Sequence, residues 1–176
     1  MGREKPGKPR RPRPAEWHAH PGWSLDDVPQ PGGWQADSKL FEELTGAAFE
    51  GCTTCQDVLL TLLVEDSVTT ARLVEMACGA IIDLEGELPA SQVDPDAPGE
   101  ASREFRRLAR AGLGTSTDGM YRECGQMTPA ERRAAANTAL DTLVGYAAMN
   151  PREGRTPFDS KGVGGSWAAR PGDDVP

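Results

Sequence analysis

Residues 67–85 limit the fold more than any other stretch of the chain. Leu73, Val74, Met76, Ala77, Ala80, Ile81 and Leu84 recur at helical spacing and cover more than half the circumference of one long helix. A helix that apolar has to be wrapped by others, and the flanking sequence supplies them. Asp37-Ser38 offers N-cap residues ahead of Glu42 and Glu43, with Leu40, Phe41, Leu44, Ala47 and Ala48 on one stripe and Gly51 to end it. Thr53-Thr54-Cys55-Gln56 fits a capping box, with Val58, Leu59, Leu62 and Leu63 as the apolar face behind it. Asp66-Ser67 reads as a break and a new cap. A helix is expected over about 100–112, with Phe105, Leu108 and Ala109 inward and Arg103, Arg106, Arg107 and Arg110 outward, then a short one around 117–124. Thr128-Pro129-Ala130-Glu131 combines a capping box with proline at the first helical position, and opens a helix that Asn150-Pro151 stops. No strand pair is legible. The expected fold is all-α: a compact helical bundle of five to six helices with extended, mostly irregular N- and C-terminal arms.

The division expected is an arm over 1–37, a bundle over 38–149 and a second arm over 150–176. All four tryptophans, Trp17, Trp23, Trp34 and Trp167, fall in the arms, among prolines and glycines that support no helical or strand period. Such segments ordinarily lack large aromatics, because they cannot bury enough apolar surface to offset ordering entropy. Tryptophan gains much from burial and is enriched among binding anchors, so these arms are expected to dock, on their own bundle or on a neighbour. The N-terminal tip carries Arg3, Lys5, Lys8, Arg10, Arg11 and Arg13 against one acid, a net +5, whereas residues 38–149 hold nine basic and 18 acidic side chains, a net −9. Prolines at 6, 9 and 12 match the polyproline II period. The acidic body argues against nucleic acid binding except by the basic tip. After Met1 comes a Pro/Arg tract rather than an apolar leader, and no apolar run approaches the roughly 20 residues that span a bilayer, so a cytoplasmic protein with reduced cysteines is expected. Arg in excess of Lys with abundant Ala, Gly and Pro reads as the imprint of a GC-rich genome, actinobacterial or phage-like.

Cys52-Thr53-Thr54-Cys55 is the pattern with reactive potential. A CxxC at a helix start faces the positive end of the helix dipole, which favours thiolate chemistry. In this it resembles the all-helical alkylhydroperoxidase D family, which would imply thiol redox activity by Cys52 and Cys55. That family's proton-relay histidine lies four residues after the second cysteine, where this chain has Leu59. His18 and His20 together with Cys52 and Cys55 could alternatively supply two imidazoles and two thiolates to a tetrahedral zinc, although the HxH spacing does not match a zinc-finger half. Cys78 is expected to be a small core hydrophobe. Asp94-Pro95-Asp96 lacks the remaining ligands of a calcium loop, and Gly162-Val163-Gly164-Gly165-Ser166 lacks the strand and lysine of a phosphate loop. With both histidines in one arm no Ser-His-Asp arrangement is expected.

The reading that follows is a non-enzymatic interaction protein without a cofactor. It binds a protein partner or another copy of itself through Trp17, Trp23, Trp34, Trp167 and the basic residues Arg10, Arg11 and Arg13. A thiol oxidoreductase using Cys52 and Cys55 and a regulator whose tip contacts nucleic acid are the alternatives.

Overall fold

A computed structural model describes residues 20–26, 28, 30–114 and 116–150. Among them are seven α-helices and no strand: α1 (Ser38–Phe49), α2 (Thr53–Leu63), α3 (Ser67–Glu85), α4 (Ala90–Val93), α5 (Arg103–Ala111), α6 (Asp118–Gln126) and α7 (Pro129–Met149). A 3-10 turn, Pro31–Gly33, precedes them. The short α4 lies between the stretches expected as helices over 67–85 and about 100–112, which takes the count past five or six. The helix starts are set by side-chain caps. Asp37 accepts from the Leu40 amide at 3.0 Å, Asp66 from Val68 at 2.9 Å and Ser102 from Phe105 at 3.1 Å. At Thr128 both halves of the capping box form. The box expected at Thr53 does not form: the N-cap is Cys52, with no side-chain bond to the helix.

α3 is the hub, packing on α1, α2, α5, α6 and α7, with α7 its most extensive neighbour. Phe41, Leu63, Leu73, Met76, Leu108 and Leu140 meet in one core. Inside it lies a polar knot. Arg72 Nη1 sits 2.5 Å from Glu75 Oε2, and the Tyr121 hydroxyl donates to the same oxygen at 2.6 Å. Burial, and then the Glu75 carboxylate, hold the Tyr121 phenol protonated far above its ordinary range. Arg132 ties three elements together by donating to Val64 O at 2.9 Å and Cys124 O at 3.0 Å.

Three side chains sit differently from their sequence expectation. Arg106, expected outward, is buried, because the turn after α4 lies over that flank of α5 and Ala97 O accepts from its Nη1. On α2 the buried stripe runs through Leu59, Leu60 and Leu63, and Leu62 is half exposed. Leu84, at the end of α3, is also exposed.

The N-terminal arm contributes to the core. Leu25 is 1% exposed and belongs to the same apolar cluster as α1 and α3. The Trp23 ring meets Phe49 edge-on at 4.8 Å and Tyr146 at 6.2 Å. Trp34 stacks on Tyr121 at 5.4 Å, and its Nε1 donates to Asp118 at 3.1 Å. The Asp37 amide donates to Thr69 Oγ1 at 2.7 Å, joining the end of the arm to the first turn of α3.

Candidate thiol–imidazole site

Two glycines bring the arm into reach of the CxxC. A Cβ on Gly46 would lie 2.6 Å from the His20 carbonyl carbon and 2.8 Å from that of Pro21, and one on Gly22 would overlap the backbone of α1. The extended segment 20–22 therefore lies backbone against backbone on α1, which side chains at these positions would prevent. The Trp23 amide completes the contact by donating to Thr45 Oγ1 at 3.0 Å.

The second half of the site comes from the turn between α1 and α2. Gly51, at φ +70, reverses the chain, and the Cys52 amide donates to Ala47 O at 2.8 Å. Cys52 thereby becomes the N-cap of α2, and Cys55 falls one turn later on the buried face. One imidazole nitrogen of His20 and the two sulfurs all lie within 4.8 Å of one another. His20 and Cys55 are each 3% exposed, and Cys52 is half-buried. Glu50, in the turn before the cysteines, meets His20 Nδ1 at 2.5 Å. That contact fixes the ring and, with the proton held at Nδ1, leaves the lone pair on Nε2.

The four cysteines thus divide into two pairs. Burial pushes the Cys78 thiol well above its ordinary value, and burial pushes Cys124 up to about 12. Both are wholly enclosed and behave as core hydrophobes. Cys52 and Cys55 instead share a site with an imidazole and a carboxylate. That group of donors can coordinate a metal ion or pass protons to and from a dithiol.

Of the residues singled out from the sequence, His20, Cys52 and Cys55 come together, and Trp23 and Trp34 pack on the body at separate places. His18, Trp17, Trp167, Arg10, Arg11 and Arg13 lie outside the described residues. Glu50 was not singled out, and its position two residues before Cys52 was the signal available. No family model, curated protein or solved structure matches the chain.

Proposed function

We propose that this is a non-enzymatic interaction protein, a helical bundle whose N-terminal arm is rooted on its own body and carries a basic tip to the acidic face of a neighbouring copy. The observation that carries the reading is the close seating of His20, Pro21 and Gly22 on α1. The segment seated there directly follows the chain's basic tip, net +5 over residues 1–14. A complementary stretch exists: residues 83–100 contain Asp83, Glu85, Glu87, Asp94, Asp96 and Glu100, all exposed, and no basic residue. Charge arrangements of this kind steer association and fix its register. With Trp23 and Trp34 engaged on their own bundle, Trp17, Trp167 and the tip are the anchors assigned to the intermolecular contact. No helix among the described residues is long and apolar enough to cross a membrane. Sedimentation velocity of the full chain tests the reading. Self-association that weakens with salt and is lost in Arg10→Glu/Arg11→Glu/Arg13→Glu supports it, and a monomer at every concentration and ionic strength contradicts it.

One observation favours a second reading, a thiol–disulfide oxidoreductase. His20, backed by Glu50, stands where a dithiol enzyme needs a proton carrier, which the sequence around Cys55 does not supply. In that reaction a substrate disulfide takes two electrons and the two thiol protons, leaving two substrate thiols and a Cys52–Cys55 disulfide. Turnover of insulin disulfides that disappears in Cys52→Ser would establish it.

A further inference from the structure

We propose that His20, Cys52 and Cys55 bind a zinc ion that fastens the N-terminal arm to the start of α2. The donors are the types zinc takes, and they come from two segments that nothing else in the sequence links covalently or by periodicity. Zn–S bonds of about 2.3 Å and Zn–N bonds of about 2.0 Å give tetrahedral edges of about 3.5–3.8 Å, so donors already within 4.8 Å have to close by about 1 Å. Zinc replaces one proton on each thiol, and both protons leave to solvent. Two thiolates then neutralise the ion, and the imidazole binds uncharged. Glu50 on Nδ1 is the outer partner that metal-bound histidines characteristically have, and it selects Nε2 as donor. Three protein ligands leave a fourth position for a water molecule. The enclosure of His20 and Cys55 suits a site that holds the fold better than one that must admit a substrate disulfide. Mechanically, the ion would close the 32-residue path from His20 to Cys52, the kind of long loop in which a clip contributes most. The inference does not rest on the partner-binding reading, since zinc can bind whether or not the chain associates.

Cobalt(II) is the probe. The reduced full-length chain should take up one cobalt, with thiolate-to-cobalt charge transfer and the intense visible bands of tetrahedral coordination, and zinc should displace it. Cys52→Ser, at a half-buried position, leaves Cys55 as the one thiolate, and should cut the charge-transfer intensity by about half or more and weaken binding. His20→Ala should weaken binding by more than about 100-fold, and Glu50→Gln by roughly 10–100-fold with the band retained. Helicity by circular dichroism separates these losses from misfolding. Zinc should also slow amide exchange across residues 20–28 at least about tenfold, as expected when a ligand binds only the closed arm. Absence of a thiolate–cobalt band in the folded, reduced chain, or a band of unchanged intensity in Cys52→Ser, overturns the site. Metal binding that leaves arm exchange unchanged overturns the fastening role. Sedimentation of the zinc-loaded and metal-free chains keeps the association reading separate: self-association unaffected by zinc leaves this inference standing.

Discussion

In the bundle, Leu73 and Met76 are buried on α3, a helix that packs against five others, so no single contact decides the packing. The arm segment 20–36 is held instead at separate points: the backbone approach at Gly46, Leu25 in the core, Trp23 against Phe49 and Trp34 against Tyr121. The bundle's contacts are redundant and the arm's are not. An aperiodic segment can therefore be integral to a fold and still depend on a few residues, which is the property expected of an element that is fastened or released.

The largest effect is expected from Leu25→Ala. If the arm belongs to the cooperative fold, the substitution should cost about 2–5 kcal/mol in chemical denaturation, the range of Leu73→Ala in the hub helix. A loss near zero would make the arm an appendage. Gly46→Ala comes next. The new methyl has to displace the backbone of His20 and Pro21, and overpacking of this kind costs about 1–3 kcal/mol. The arm should shift while the helix content stays constant, and the imidazole should separate from the two thiols.

Within the bundle, Thr128→Ala removes the acceptor of the Glu131 amide and should cost about 1 kcal/mol, confined to the start of α7. The smallest effect is expected at alkaline pH. Burial, and then the Asp83 carboxylate, push the Tyr146 phenol from 10.0 up to about 12. The folded chain holds this proton more tightly than the unfolded chain does. The associated stability is fully present below pH 10.0 and is lost as pH rises through about 12. Tyr146→Phe, which keeps the ring against Trp23, should flatten that part of the alkaline denaturation profile.

The difference between the two regions also explains what could be read from the sequence. α3 was legible to its ends because Asp66 caps it and its apolar residues keep a helical period, and the start of α7 was legible because Thr128 and Glu131 cap each other locally. Arg106 was not, since its burial depends on a turn that contacts it from nine positions upstream. The Thr53 box failed because Gly51 lets the chain reverse and makes Cys52 the cap. The candidate site was legible in its residue types but not in its assembly. His20 reaches Cys52 and Cys55 through a backbone contact between Gly22 and Gly46, and a glycine pair leaves no periodic or charge signature in either segment.

Residue-resolved hydrogen exchange on the full-length chain tests most directly whether the arm is part of the fold. The amides of Trp23, Val28 and Asp37 donate to Thr45 Oγ1, Leu25 O and Thr69 Oγ1. The account predicts that all three exchange at least about 100-fold more slowly than in an unstructured peptide, an opening free energy of about 2.7 kcal/mol. Exchange of these amides at the unprotected rate, while α3 remains protected, would contradict it.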